Sequence, residues 1–259
     1  MIDMHNHILF GVDDGAKTID NSIVLLKEEI KKGVTHIILT PHYKYKGVDL
    51  DMEKVSDNFK VLKDIVVNEK LNVELYLGNE IYFDSNFYEV LEKGKFNTLA
   101  GSDYILIEFN LIDIPKNVVE MCYEARIKGY IPIIAHVERY NFLYNDIQLL
   151  KDIINEGALL QVNASTIVNK ESKESNKFIN FLFKNELVSF IASDLHNMES
   201  RGFYLDEALK KIKKICSDSY ADKIFIENQQ KILSNEYINA PNIKPDRGRV
   251  LSKLFRNKR

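Results

Sequence analysis

Short apolar runs rich in β-branched residues alternate with longer amphipathic segments along most of this chain. The runs are short for helices and apolar at nearly every position. That pattern is typical of strands covered on both faces of a parallel sheet. It predicts seven strands, at residues 2–5, 34–40, 73–77, 104–109, 131–136, 158–162 and 188–193.

The segments between these strands repeat apolar residues with the period of an α-helix. In the first, Ile19, Ile23, Leu26 and Ile30 form one face, and Gly33 marks the C-terminal end. Further helices are predicted near 51–70, 116–129, 146–156 and 172–186, and beyond the last strand near 203–217 and 219–234. Seven strand–helix units in series predict an α/β fold. We expect a distorted (β/α)7 TIM-like barrel with extra C-terminal helices.

A chain of 259 residues is long enough for one such domain, which we place at residues 1–240. Residues 241–259 form a basic tail, which is either a solvated chain end or a contact for an anionic partner or a membrane surface. Its basic residues are Lys244, Arg247, Arg249, Lys253, Arg256, Lys258 and Arg259.

Composition narrows the functional classes. A net charge of -3 argues against a general affinity for nucleic acid. Neither a membrane-spanning apolar stretch nor a signal peptide is evident, so we expect a cytoplasmic protein that is not itself a membrane protein. Neither Cys122 nor Cys216 begins a Cys-x5-Arg phosphate loop, which makes cysteine-based phosphatase chemistry improbable and favours core roles for both.

Five of the six histidines lie in short motifs at the ends of predicted strands. Acidic residues close further apolar runs in the same way. Because parallel strands bring their C-terminal ends to one rim, these side chains are predicted to meet there. A mixture of imidazoles and carboxylates suits Mn, Fe or Zn better than Ca. The candidate ligands at strand ends are His5, His7, His42, Glu80, Glu108, His136, Asp194 and His196.

Four further residues need separate judgement. His36 lies inside a predicted strand, and we leave it out of the site. Asp14 follows the first strand closely, and we favour it over its neighbour Asp13 as a ligand, although Asp-Gly is also a frequent turn. Arg139 and Arg201 follow candidate ligands by a few residues, where a guanidinium can grip phosphate in a bidentate manner.

These motifs resemble the PHP (polymerase and histidinol phosphatase) superfamily of metal-dependent phosphoesterases, over residues 2 to about 201. Within it, they look like the bacterial manganese-dependent protein-tyrosine phosphatases of capsular and exopolysaccharide operons. The resemblance is carried by Asp3-Met4-His5-Asn6-His7, Val12-Asp13-Asp14-Gly15-Ala16, Thr40-Pro41-His42-Tyr43, Gly78-Asn79-Glu80-Ile81, His136-Val137-Glu138-Arg139-Tyr140 and Ser193-Asp194-Leu195-His196.

The resemblance implies three divalent ions, with manganese first and iron or zinc as alternatives. It implies one ion at His5, His7, Glu80 and Asp194, and a second at Glu80, Glu108 and His136. A third would lie at Asp14, His42 and His196. The implied substrate is the phosphotyrosine-containing tail of a membrane-associated tyrosine autokinase.

We expect a metal-activated hydroxide to attack phosphorus, with Arg139 and Arg201 holding the phosphate oxygens. Aromatic residues that closely follow the candidate ligands could line a phenyl-sized cleft, although aromatics at strand ends more often pack in a core. They are Phe10, Tyr43, Tyr45, Tyr82, Phe83 and Tyr140.

The sequence is compatible with several alternatives. A histidinol-phosphate phosphatase, or another small-molecule phosphoesterase, would share the metal site and differ in pocket shape. A nuclease would require a positively charged groove for the phosphate backbone of its substrate. An amidohydrolase would normally carry a lysine where this chain has Glu108. A catalytically inactive regulator of a kinase or a polysaccharide assembly complex would bind without turnover.

Overall fold

A computed structural model describes residues 1–45, 47–111, 115–169 and 172–242. The basic residues of the predicted tail, from Lys244 onward, lie outside the described residues. Within the described ranges the strands are β1 (Ile2–Asp3), β2 (His36–Leu39), β3 (Lys44–Tyr45), β4 (Val48–Asp49), β5 (Glu74–Leu77), β6 (Glu80–Tyr82), β7 (Tyr104–Glu108), β8 (Ile131–Ile134), β9 (Leu159–Asn163) and β10 (Phe190–Ala192).

The helices of the described ranges alternate with these strands. They are α1 (Ile19–Lys31), α2 (Met52–Asn68), α3 (Phe87–Lys93), α4 (Val118–Ile127), α5 (Asn141–Asn145), α6 (Ile147–Asn155), α7 (Ala164–Val168), α8 (Lys173–Lys184), α9 (Leu205–Ile212), α10 (Asp218–Asp222) and α11 (Asn228–Leu233). A π-helical turn, Lys223–Glu227, joins α10 to α11.

The predicted helix beginnings have identifiable caps. Thr18 caps α1 in a reciprocal arrangement with Asn21, and α1 ends at Lys31, just before Gly33 with a φ of +90°. Asp51 caps α2, because its carboxylate accepts from the backbone N–H groups of Glu53 and Lys54. The predicted helices are therefore confirmed, with ends two to five residues away from some expected bounds.

Two parallel sheets carry the site. The first has the order β1-β2-β5, and the second has the order β10-β9-β8-β7-β6. All seven predicted strands are present. The additional parallel strand β6 was not predicted, because the polar residues Asn79 and Glu80 interrupt the apolar run there. The antiparallel pair β3 and β4 was also missed.

The α/β fold with parallel strands is confirmed, but the described residues form no closed barrel. The sheets meet through single bridges at two seams, Asn6 with Leu195 and His42 with Glu80, instead of through continuous ladders. Asn6, Leu195 and His42 lie beyond the ends of their strands, and Glu80 is the first residue of β6, so each seam has a single bridge in place of a ladder.

The inner faces of the two sheets pack on each other. Met4 and Ile38 of the first sheet's segments join one apolar cluster with Leu106, Ile133 and Phe190 of the second. Alternate residues of the same strands point outward into the larger core beneath the helices. Both faces are covered, which explains the nearly uninterrupted apolar strands.

The C-terminal helices close the end of the sheets opposite the proposed metal rim. Ile232 of α11 and Ile238 join the inner cluster with Tyr104 and Ile131, which begin β7 and β8. The Tyr104 hydroxyl donates to the carbonyl of Glu236 at 2.7 Å. Of the extra helices expected from the sequence, α11 therefore covers the N-terminal ends of β7 and β8, while α9 packs on α7. No helix among the described residues is long and apolar enough to cross a membrane.

Candidate metal centre

The two seams between the sheets bring the predicted ligands together. At one seam, the N–H of Asp194 donates to the carbonyl of His5, and the N–H of His7 donates to the carbonyl of Leu195, both at 2.8 Å. At the other, the N–H of Tyr43 donates to the carbonyl of Glu80 at 2.7 Å. Polar side chains from distant parts of the chain thereby meet at the C-terminal ends of the strands.

Two of the predicted ligands have a left-handed backbone. His136 has a φ of +31° and Asp194 a φ of +53°, and each comes just after a strand. A non-glycine residue in this region costs roughly 1–3 kcal/mol, and such residues cluster at functional sites. The N–H of His136 is held at 2.8 Å by the side-chain oxygen of Gln161, which fixes this turn.

Glu80 is the centre of the cluster and is buried. Its Oε1 lies 2.9 Å from His136 Nε2 and 3.4 Å from His5 Nε2. Its Oε2 lies 3.1 Å from His42 Nδ1 and 3.3 Å from His7 Nε2. Each carboxylate oxygen thus faces two imidazoles, which suits a residue that bridges two ions.

A second part of the cluster surrounds Asp14. Its Oδ1 lies 3.4 Å from both His42 Nε2 and His196 Nε2. Glu108 approaches His42 from the other side of its ring, with Glu108 Oε1 2.9 Å from His42 Nδ1. Asp194 Oδ1 lies 3.5 Å from His5 Nε2 and 3.6 Å from His7 Nε2.

Among the described residues, three groups offer ligand atoms within 4.8 Å of one another. One of them lacks Asp194 of the predicted first set, another adds His7 to the predicted third set, and the remaining one pairs Glu80 and Glu108 with His42 instead of with His136. His36 lies outside the cluster, more than a third exposed, with its Nε2 3.9 Å from Glu74. The groups are His5, His7, Glu80; His7, Asp14, His42, His196; and His42, Glu80, Glu108.

Hydrogen bonds behind the imidazoles fix their orientation. His5 Nδ1 donates to Gln161 Oε1 at 3.1 Å, and His7 Nδ1 donates to Asp13 Oδ2 at 2.7 Å. In the neutral ring that binds a metal ion, the proton on Nδ1 leaves the Nε2 lone pair directed into the cluster. His196 Nδ1 likewise donates to the carbonyl of Asp194 at 2.9 Å.

Gln161 and Asn163 continue this network, and the sequence reasoning missed both. The Gln161 side-chain N–H donates to Asn163 Oδ1 at 2.8 Å, and the Asn163 amide donates to Asp194 Oδ2 at 2.7 Å. Both are buried in β9. The sequence did contain an indication of their role. Two polar residues occupy alternate positions of an otherwise apolar strand, and alternate positions share one face of a sheet.

Ionisation in the cluster follows from burial and close opposite charges. Burial alone would lower the pKa of His7, but the negative charge of Asp13 and the hydrogen bonds to Asp13 and Glu80 together raise the pKa to about 9. Burial alone would raise the pKa of Glu80, yet the surrounding histidines, His5 first, hold it well below its ordinary value. Without a metal, protons therefore balance the buried carboxylates.

His196 shows that the residues fit a metal ion. Burial, followed by the nearby charge of His7, lowers the pKa of His196 to about 4, so its imidazole is neutral at pH 7. Its Nε2 is buried without a hydrogen-bond partner, and so is Asp14 Oδ1. A neutral imidazole nitrogen beside a carboxylate oxygen is a donor pair typical of a transition-metal site. The residues therefore fit divalent cations.

Arg139 and Arg201 stand at the rim. Arg201 Nη2 donates to both oxygens of Asp194, at 2.9 and 2.8 Å, and its Nη1 lies 3.6 Å from Asp14 Oδ2. Arg139 Nη1 lies 3.7 Å from Asp194 Oδ2. Both guanidinium groups line a cavity of about 410 Å³ beside the metal cluster, as does Asp194.

The aromatic residues considered from the sequence do not line this cavity. Tyr43, Phe83 and Tyr140 are buried in the core. Tyr82 lines a different cavity with Tyr43 and Lys95, and Phe10 is partly buried against the core. The side chain of Tyr45 lies outside the described residues.

Tyr140 nevertheless contacts the cluster from within the core. Its hydroxyl lies 3.1 Å from His136 Nδ1 and accepts from the N–H of Phe109 at 2.9 Å. It therefore helps to orient a predicted ligand. Cys122 and Cys216 are free thiols away from the cluster, and burial raises the pKa of Cys122 to about 12.

The fold and the site define an α/β protein with a candidate centre for several divalent metal ions. The capsular polysaccharide synthesis CpsB/CapC family model matches residues 1–234. The chain belongs to this family, which confirms the family resemblance read from the motifs.

Named relatives cover nearly the whole chain. The tyrosine-protein phosphatase CpsB of Streptococcus agalactiae is 35% identical over 243 residues, which are 92% of this chain and all of that relative. The tyrosine-protein phosphatase YwqE of Bacillus subtilis is 31% identical over 258 residues, 98% of this chain and all of the relative.

Solved structures show the same fold. One match belongs to the crystal structures of YwqE from Bacillus subtilis and CpsB from Streptococcus pneumoniae, which are metal-dependent tyrosine phosphatases. It has a TM-score of 0.85 and 29% identity. It covers 95% of this chain and all of the other. A histidinol phosphate phosphatase from Lactococcus lactis, with a TM-score of 0.54 and 16% identity, covers 82% of this chain and 92% of its own and shares the fold alone.

Proposed function

We propose that this protein is a metal-dependent protein-tyrosine phosphatase that hydrolyses phosphotyrosine on a cytoplasmic tail of a bacterial tyrosine autokinase, and so regulates capsular or exopolysaccharide synthesis. The observation that carries the proposal is the buried cluster of imidazoles and carboxylates with Arg139 and Arg201 on its rim, beside one cavity. Membership of the CpsB/CapC family and the names of its relatives support the substrate class.

The proposed ligands are the cluster residues themselves. Glu80 would bridge ions, because both its oxygens face imidazoles, and His42 is placed between the two parts of the cluster. We propose three ions, manganese first, with residues 1–240 as the phosphatase domain. The complete proposed set is His5, His7, Asp14, His42, Glu80, Glu108, His136, Asp194 and His196.

Bound divalent ions would supply concentrated positive charge and lower the pKa of water enough to provide a hydroxide nucleophile near neutral pH. The protein's own part is to place the phosphate. Arg139 and Arg201 would hold its non-bridging oxygens and stabilise the charge that develops in the transition state. The leaving tyrosyl oxygen has a pKa of about 10, so it departs more readily than an alkoxide and depends less on a protonating residue.

The test is phosphate release from a phosphotyrosine peptide and from histidinol phosphate, side by side, with Mn²⁺ and with a chelator. We expect Mn²⁺-dependent release from the peptide and little from histidinol phosphate. A preference for histidinol phosphate would replace the proposed role with that of a small-molecule phosphatase. Absence of turnover with every divalent metal, together with tight binding of the phosphopeptide, would favour the inactive regulator.

A matched pair of variants ties this activity to the cluster. Asp194→Asn keeps the size of a buried side chain but removes its charge, and it should lower turnover by roughly a hundredfold or more. His36→Ala removes a histidine outside the cluster and should leave turnover unchanged. Equal activity in the two variants would contradict the assignment of the site.

A further inference from the structure

We propose that Leu111 and Tyr144 form the two sides of the pocket for the phosphotyrosyl ring and thereby make this site selective for aryl phosphates. The inference rests on the proposed phosphatase function and names the residues that determine its specificity. Both side chains line the cavity of about 410 Å³ that Arg139 and Arg201 also line.

The composition of the cavity wall supports this assignment. Among its described lining residues, Leu111 and Tyr144 offer the large apolar surfaces, while most others are serine, threonine, asparagine or charged residues. Ligand sites typically combine a few apolar walls with a few placed polar groups. Here the guanidinium groups suit the phosphate dianion, and the two apolar side chains suit the ring that carries it.

Leu111 has no evident structural reason to be apolar. It is 42% exposed, in the segment that follows β7, three residues after the proposed ligand Glu108. A large aliphatic side chain left partly in water beside a phosphate-binding rim gains free energy when a substrate ring covers it. It lines the same cavity as Arg139, Asp194 and Arg201.

The ring of Tyr144 is fixed in position by its neighbours. It belongs to α5, which begins two residues after Arg139. Its ring packs on the buried ring of Phe178, with the centroids 5.3 Å apart, and its hydroxyl donates to Asn141 Oδ1. Because the ring packs against the buried Phe178, it presents a fixed surface to the cavity at little entropic cost on binding.

The cavity is also large enough for the proposed substrate. Pockets for ligands of moderate size occupy roughly 300–1,000 Å³, so about 410 Å³ accommodates a phosphotyrosyl side chain with room for adjacent peptide. A phosphoserine side chain is shorter and has no ring to contact Leu111 and Tyr144. The same walls would therefore favour phosphotyrosine over phosphoserine.

The test compares phenylphosphonate with methylphosphonate by calorimetry on the Mn²⁺-loaded protein, at a pH where both are dianions. We expect the unaltered protein to prefer phenylphosphonate. Leu111→Ala and Tyr144→Ala should each reduce that preference by roughly tenfold while leaving methylphosphonate affinity nearly unchanged. Tyr144→Phe keeps the ring and should retain the preference.

Tyr123→Ala is the matched control, since Tyr123 is half exposed on α4 and does not line the cavity. An unchanged preference in both alanine variants, or an equal loss of affinity for both phosphonates, would overturn the proposal. So would the absence of a phenyl preference in the unaltered protein. If phenylphosphonate binds as expected but phosphotyrosine peptides are not hydrolysed, the proposed function fails while the ring pocket stands.

Discussion

Buried polar side chains behind the cluster orient several of the proposed ligands. Gln161 accepts from His5 Nδ1 and from the backbone N–H of His136, so one amide fixes two proposed ligands that follow different strands. Asp13 does the same for His7 and accepts from the N–H of His42 at 3.1 Å. The two aspartates of the Asp-Asp-Gly element thus have different roles. Asp14 faces the cluster, and Asp13 orients His7 from outside it.

Replacing Gln161 by methionine should weaken binding of Mn²⁺ by roughly 10–100-fold, because His5 would lose the partner that fixes its tautomer. It should also cost roughly 1–3 kcal/mol in stability, since buried N–H groups would be left without acceptors. Titration calorimetry measures the affinity. Gln148→Met, at an exposed position of α6, is the control. Unaltered Mn²⁺ affinity in Gln161→Met would contradict the orienting role.

Replacing Arg139 by alanine should mostly raise KM for an aryl phosphate, by roughly tenfold, because one of the two groups that hold the phosphate oxygens is lost. Arg126→Ala is a suitable control, since Arg126 lies in α4 and its guanidinium contacts Tyr237, away from the cavity. Steady-state kinetics separate KM from kcat. If neither changes in Arg139→Ala, this residue has no part in the mechanism.

The metal-free protein should lose stability as pH rises. The pKa of His7 is raised from 6.5 to about 9 in the fold, so its protonated form stabilises the native state. That contribution is complete below about pH 6.5 and is lost as pH rises through about 9. It amounts to roughly 2–4 kcal/mol. Thermal melts from pH 6 to 9.5, with chelator present, measure the decline.

His7→Gln should make this decline shallower, and His36→Gln should not alter it, since His36 lies outside the cluster. The same slope in His7→Gln as in the unaltered protein would show that His7 does not carry the stabilising proton.

At the scale of elements, the loop between β1 and α1 delivers Asp13 and Asp14 to the rim. Gly15 allows that loop to fold back on His7. A Cβ on Gly15 would lie 2.0 Å from the carbonyl oxygen of His7, closer than any real contact. The N–H of Gly15 donates to Asp13 Oδ1 at 2.9 Å, and the next residue, Ala16, donates to the His7 carbonyl at 3.0 Å. Glycine is therefore needed here for close approach.

Gly15→Ala should displace the Asp-Asp-Gly loop, with a cost of roughly 1–3 kcal/mol and a large loss of Mn²⁺-dependent turnover. Gly202→Ala, in the loop beside Arg201, is the control, because its Cβ would meet its nearest neighbours only at 3.7 Å or beyond. Thermal melts and turnover of an aryl phosphate measure both effects. Full activity in Gly15→Ala would show that the loop can take another path.

At the scale of the whole molecule, the site joins the two sheets. Asp3 of β1 accepts from the N–H of Ser193 at 2.9 Å and from its hydroxyl at 2.6 Å, next to the seam that carries Asp194. Bound ions would add coordination bonds across both seams, because proposed ligands come from both sheets. Metal binding should therefore stabilise the fold as well as enable chemistry.

Adding Mn²⁺ at about one hundred times its Kd should stabilise the native protein by about 2.7 kcal/mol, which corresponds to a rise in Tm of roughly 5–10 °C. A chelator should reverse the shift, and Asp194→Asn should reduce it. Differential scanning calorimetry is the measurement. A Tm that none of Mn²⁺, Fe²⁺ and Zn²⁺ moves would contradict a metal centre between the sheets.

Local sequence was sufficient to predict seven of the ten described strands and most of the longer helices, because hydrophobic periodicity is a local feature, and it proposed the candidate ligands from the ends of the parallel strands. It also carried the family resemblance, since the motifs around His5, His136 and Asp194 are contiguous. The local pattern did not predict β6, because its first residue, Glu80, is polar. Glu80 is a proposed metal ligand, and this role requires a polar side chain.

Only the tertiary structure decided how the segments meet. Three features depend on distances between segments far apart in the chain. They are the group of His42 with Glu80 and Glu108, the orientation of His5 by Gln161, and the shared cavity of Leu111 and Tyr144. Those distances follow from packing the inner faces of two sheets and from the single bridges at their seams. Such long-range geometry leaves no periodic trace in the sequence, so neither the open seams nor the wall of the cavity could be predicted from it.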